Sequence, residues 1–246
     1  MNHSSSARSL IMAIFALAIV LSFSSMPAQA SVIYDTSLAA PGVYFGGGNP
    51  NQGFTVFSGT SGGGTLELGL SAINRYIGPA TEVGDQYYVP AGLAVGHPGA
   101  EWGFDFSINT NVGGAGSLML SDFTFNITIT DLDGTYIASF DPTLIPDNAY
   151  WNGAKVQAPP TPAQNTVYGM QNSEPLSFIP PTAGTYDPNA AHRYEITLSA
   201  LPKNGPVIDP SISIFVNVQA VPEPATFGLA GIALLGLGLL RKKIKM

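Results

Sequence analysis

An all-β domain, a β-sandwich or jelly-roll-like ectodomain over residues 31–220, is what the sequence predicts, and three observations predict it. Gly and Pro number 28 and 20 of 246 residues, about a fifth of the chain where ordinary usage gives roughly 12%. Such punctuation favours many short strands and tight turns over long helices. Several segments alternate apolar and polar residues with period two, the pattern of a strand with one buried and one wet face. Finally, the 190 residues of 31–220 suit one domain with a sizeable core.

The elements follow in order. Short β-branched and aromatic runs at 31–36 and 53–57 are separated by Pro41-Gly42 and by a Gly-rich stretch ending at Pro50. A strand at 65–70 follows a second glycine run, and 86–89 is another. In 101–108, Trp102, Phe104, Phe106 and Ile108 alternate with Glu101, Gly103, Asp105 and Ser107, which predicts a buried face and a solvent face. Phe123, Phe125, Ile127 and Ile129 alternate with Thr and Asn up to Asp131-Leu132-Asp133-Gly134. The Asp-Gly pair predicts a primed hairpin turn and a return strand over 135–140. Residues 147–166, with Pro159, Pro160 and Pro162, read as a long surface loop. Strands at 166–170, 176–179, 193–200 and 211–220 complete the domain, the last two joined by a turn at Asn204-Gly205.

The two ends carry their own signals. Residues 1–30 show a polar start with Arg8, an apolar stretch and Ala28-Gln29-Ala30, the pattern of a secretory signal peptide cleaved after Ala30. Near the other end, Pro222 and Pro224 forbid continuation of the preceding strand. An uncharged Leu/Ala/Gly-rich span follows, predicted as a transmembrane helix over about residues 225–240, and then Arg241, Lys242 and Lys243. At a rise of about 1.5 Å per residue the span is short for a hydrocarbon core of about 30 Å, and the basic side chains extend it by snorkelling. Their positive charge places that end in the cytoplasm and the domain outside.

Pro222-Glu223-Pro224, the short apolar span and the basic cluster together resemble the PEP-CTERM sorting signal of Gram-negative bacteria, here over residues 221–246. The resemblance implies an exported substrate of an exosortase, with Pro222, Glu223 and Pro224 as the sorting motif and Arg241, Lys242 and Lys243 as a retention cluster. It implies signal peptidase and exosortase as partners. It further implies a precursor held in the inner membrane and facing the periplasm, then a place at the cell surface or in an extracellular matrix. Extracellular polysaccharide is a further partner that the resemblance suggests. Some family labels call such a tail "ice-binding protein C-terminal", but nothing in these residues argues for binding ice. Asn172-Ser173-Glu174, Asp187-Pro188-Asn189 and the Asn204-Gly205 region are similar to segments of one group of these ectodomains, which implies an all-β fold and no particular chemistry.

Composition narrows the chemistry. There is no Cys, so the domain relies on its core rather than disulfides, and thiolate metal sites or cysteine catalysis are excluded. Residues 31–220 carry 15 Asp/Glu against Arg75, Lys155, Arg193 and Lys203, a formal net charge of −11. Nucleic acid and anionic lipid are poor partners for such a surface. Divalent cations suit it better, and solubility through self-repulsion explains it as well.

No cofactor is expected, with Ca²⁺ the one ion weighed. Asp131 and Asp133 precede Gly134 as in a calcium loop, but an EF-hand needs oxygen ligands where Ile129 and Phe140 stand. A different calcium site would use these carboxylates with Asp105, Asp122 or Asp141. His97 and His192 show no zinc-protease spacing and read as surface residues. Gly59-Thr60-Ser61-Gly62-Gly63 satisfies G-x-S-x-G, but a nucleophile elbow needs a helix after the Ser, and the residues that follow read as a turn and strand. Tyr150 and Trp151, placed on the long loop, are candidates for stacking on sugar rings, or else plugs at the edge of the core. The expected role is a non-enzymatic envelope or matrix protein, the alternative a glycan- or calcium-binding adhesive module. A hydrolase is the third reading.

Overall fold

Two β-sheets face each other across one apolar core. The computed structural model describes residues 30–39, 53–61, 64–114, 116–204 and 210–220. Their strands, in chain order, are β1 (Ser31–Thr36), β2 (Phe54–Ser61), β3 (Gly64–Asn74), β4 (Gly78–Pro79), β5 (Thr81–Val83), β6 (Gln86–Pro90) and β7 (Trp102–Asn109). The second half supplies β8 (Phe123–Asp131), β9 (Ile137–Phe140), β10 (Ala149–Trp151), β11 (Lys155–Gln157), β12 (Gly169–Glu174), β13 (Arg193–Pro202) and β14 (Ser211–Gln219). Sheet one runs β1-β2-β3-β7-β12-β10-β11, with β4 beside β3. Sheet two runs β5-β6-β14-β13-β8-β9. Neighbours are antiparallel except β14 and β6, which run parallel. The all-β expectation is met, and no α-helix occurs among the described residues.

The alternating segments deliver the core as predicted in sheet two. Phe123, Phe125, Ile127 and Ile129 from β8, Tyr194, Ile196, Leu198 and Ala200 from β13, and Ile212, Ile214, Val216 and Val218 from β14 are all buried. They pack against Leu68, Leu70, Phe104, Phe106 and Ile108 of sheet one in one continuous cluster. Each buried Val, Leu, Ile or Phe among them contributes about 1.5–3 kcal/mol relative to leaving it exposed.

Five local expectations are corrected. Strand β7 has no wet face: all eight of its residues are buried. It lies between β3 and β12, and its outward Gly103 sits against the Glu174 carbonyl. On the same outward face, Leu38 covers Gly69, the register partner of Ser107. The Asp133-Gly134 pair forms no primed turn, since neither residue has positive φ. Instead Asp131 Oδ1 accepts the Asp133 N–H at 3.0 Å, and the return strand starts only at Ile137. Residues 147–166 are not a plain loop but contain β10 and β11, each three residues long and too short to show a period. The expected strand at 166–170 begins at Gly169 and runs on to Glu174. The one expected at 176–179 is a 3₁₀ turn over Leu176–Phe178. There Leu176 and Ile179 are buried while Ser177 and Phe178 are exposed, the three-residue spacing of a 3₁₀ turn.

Candidate functional site

Where the end of β9 comes near the end of β12, a cleft of ≈ 500 Å³ opens, lined by Phe140, Asp141, Leu144, Ile145, Asp147, Glu174, Phe178 and Ile179 among others. The local sequence builds it. Asp141 Oδ1 accepts the Thr143 N–H at 2.9 Å and so caps the short turn that starts at Pro142. Buried Asn148 donates to the Pro142 carbonyl at 2.8 Å, which fixes the far side of the same turn. Asn172 donates to Asp147 Oδ1 at 3.0 Å and ties the turn to β12. Glu174 closes β12 and is buried. Burial first, and then the Asp147 carboxylate, push its pKa up to about 7, with Arg75 opposing. The cleft therefore combines apolar walls with a carboxyl group that changes charge near neutrality, a setting able to hydrogen-bond a small polar ligand. Sequence reasoning missed it. Glu174 was visible only as part of Asn172-Ser173-Glu174, and no periodic signal marks the turn that carries Asp141 and Asp147.

The carboxylates predicted for calcium are engaged with the protein. Asp131 Oδ2 lies 2.8 Å from His192 Nδ1, and Oδ1 accepts from Asp133 N–H. Asp133 Oδ2 accepts the Arg193 N–H at 2.8 Å. Together these bonds pin the β8–β9 connection onto the start of β13. His192 is thus a partner of Asp131 rather than a plain surface residue, while His97 is exposed and stacks on Tyr76 with ring centroids 3.7 Å apart. Asp105, Asp122 and Asp141 do not join Asp131 and Asp133. Asp122 accepts the Met119 N–H, and among the described residues no group of three or more His, Asp or Glu could hold a metal ion.

Tyr150 and Trp151 are placed differently from the loop expectation. Both belong to β10 and are buried, Trp151 with 1% of its surface exposed. Tyr150 lies in the inter-sheet core, and the Trp151 indole covers Gly169 of β12, where an added Cβ would collide with the ring. Neither offers an aromatic face to a sugar. Ser61 ends β2 and pairs with Gly64 at the start of β3, so strand follows strand where a nucleophile elbow needs a helix.

Asp105, expected on a solvent face or at a calcium site, stands in neither place. It is fully buried at the middle of β7, between register partners Ser71 and Ser173, and neither carboxyl oxygen has a hydrogen-bond partner. Burial pushes its pKa up to about 8, with the neighbouring Ser173 hydroxyl pulling the other way.

Of the sorting residues, Ala30 is described and exposed, immediately before β1. Ala28, the segment 221–246 with Pro222, Glu223, Pro224, Arg241, Lys242 and Lys243, the predicted transmembrane span, and Gly205 of the expected turn lie outside the described residues. Among the described residues no helix is long and apolar enough to cross a membrane. A family model described as the PEP-CTERM protein-sorting motif matches residues 220–243. No curated protein and no solved structure matches the chain. The motif implies export, a membrane-anchored precursor and an exosortase as processing partner. With that motif beginning one residue after the last strand, the chain is a PEP-CTERM domain-containing protein.

Proposed function

We propose that the protein is a non-enzymatic envelope or extracellular-matrix component, exported through a signal peptide cleaved after Ala30 and sorted by an exosortase through Pro222, Glu223 and Pro224. The precursor spans the inner membrane with about residues 225–240, its β-sandwich in the periplasm and Arg241, Lys242 and Lys243 in the cytoplasm. After processing, the sandwich serves a structural or adhesive role at the surface or in the matrix, alongside extracellular polysaccharide. The observation that carries this reading is the sorting motif at 220–243, joined without a linker to a strand that ends at Gln219. A glycan- or calcium-binding role gains no support from Tyr150 and Trp151, which are buried, or from Asp131 and Asp133, whose oxygens serve the fold.

Intact mass of the protein from native cells, with and without the exosortase, tests the proposal. The expected species starts at Ser31 and ends near Pro222 only when the enzyme is present. Retention of Met246 in both strains would overturn exosortase processing. For the non-enzymatic part, inertness on ester and glycoside panels is expected, and activity lost in Ser61→Ala would overturn it.

A further inference from the structure

We propose that the end of the sandwich from which the tail departs docks on the membrane surface, through the apolar tip of the loop 91–101 and its neighbours. This rests on the reading that the tail is membrane-inserted in the precursor. The placement comes from the parallel pairing of β6 with β14: Pro90 is the register partner of Gln219, and the Ala91 N–H bonds to the Gln219 carbonyl at 2.8 Å. The loop after β6 therefore starts where the chain leaves the fold. Its two aliphatic side chains face outward, with Val95 94% and Leu93 57% exposed.

Other exposed apolar groups are held beside them. Arg75 donates to the Pro98 and Ala100 carbonyls at 3.0 and 2.9 Å. Its guanidinium lies 5.0 Å from the Tyr76 ring centroid and 5.9 Å from that of Phe178. Tyr76 in turn stacks on His97. Gly99, at φ +90, packs against Arg75 and Ser177 and lets the loop turn back to β7. Tyr76, Ile77 and Phe178, all about half exposed or more, thus belong to the segments that Arg75 ties to the loop carrying Leu93 and Val95.

A lipid surface is the partner that fits, because distance requires one nearby. From Gln219 to a span beginning at residue 225 there are six residues, at most about 20 Å of extended chain. The headgroup layer fills about 5–7 Å of that gap. Exposed aliphatic and aromatic groups at this depth gain by partitioning into the interface, and Arg75 can pair with lipid phosphate. Carboxylates also stand at this end: Glu101 closes the loop beside Gly92, and Asp187 adjoins the Pro188 carbonyl that accepts the Gly92 N–H. Asp131 and Asp133 hydrogen-bond His192 and the Arg193 N–H. A zwitterionic lipid surface therefore fits rather than an anionic one.

The absence of Cys makes a single-label test direct. Val95→Cys and Ser117→Cys are each made in the full chain, labelled with bimane and inserted into phosphatidylcholine vesicles carrying headgroup nitroxides. Ser117 is exposed at the opposite end, separated by the eight residues of β7, about 26 Å. Quenching at Val95 at least about twofold above that at Ser117 is expected. Adding Leu93→Asp should return the Val95 label to the Ser117 level without changing the unfolding midpoint. Equal quenching at both sites, in chains that resist carbonate extraction, would overturn the docking and leave the sorting reading intact. Chains that carbonate releases would overturn the inserted tail, and the docking with it.

Discussion

Replacing Asp105 by Asn tests the electrostatics of the buried face of β7. In the folded protein the Asp105 carboxyl holds its proton up to about pH 8, whereas the unfolded chain releases it near 3.8. Because the folded pKa is the higher one, this group's contribution to stability is full below about pH 3.8 and is lost as pH rises towards 8. Over that window the slope is about −1.4 kcal/mol per pH unit, so by pH 7 the native state has lost about 4 kcal/mol as a ceiling. Against a net stability of about 5–15 kcal/mol for a domain, that is a large fraction. Asn keeps the shape and stays neutral, so Asp105→Asn should match the parent near pH 4 and exceed it by a few kcal/mol at pH 7. Urea unfolding at a series of pH values, followed by the fluorescence of the buried Trp102 and Trp151, measures the gap. A smaller slope should persist in the variant up to about pH 7, where Glu174 titrates. A gap that does not change with pH would refute the reasoning. So would a variant less stable at pH 7 than at pH 4 relative to its parent, since that would mean Asp105 is ionised and paired.

Two other outcomes follow from geometry. Gly169→Ala drives a methyl group into the Trp151 ring, so it should cost about 1–3 kcal/mol and red-shift the Trp emission; an unchanged denaturation midpoint would contradict the packing described. With Asp131 and Asp133 committed to His192 and the Arg193 backbone, millimolar Ca²⁺ or a chelator should leave the thermal midpoint unmoved. A calcium-dependent rise of several degrees would point to a site using these oxygens.

Sheet two was legible in the sequence because its strands keep one partly solvated face, so β8, β13 and β14 print their burial as alternation. The same pattern in 101–108 misleads about the second face. Asp105 and Ser107 look like solvent-facing residues until sheet neighbours and Leu38 are in place, and that cover is tertiary. Strands β10 and β11 fall below the length at which a period is readable, so Tyr150 and Trp151 read as loop residues although they lie in β10. The cleft around Glu174 depends on residues more than 30 positions apart, Phe140 and Glu174 among them, and no local pattern encodes that meeting. By contrast, the sorting tail is a linear signal, read as a string whatever the fold, and residues 220–243 carry it whole.

The position of β14 has a mechanical consequence. The strand that continues into the tail is not at an edge of its sheet but lies between β6 and β13, paired with the first over 86–90 and with the second over 193–199. A pull at Ala220 directed along the strand acts across the hydrogen bonds of both ladders at once, in shear, and the apolar side chains of Ile212, Ile214, Val216 and Val218 must leave the core together. An edge strand pulled the same way would resist through one ladder only. Tethered through this strand, the sandwich is built to bear tension between whatever holds its tail and whatever grips its surface.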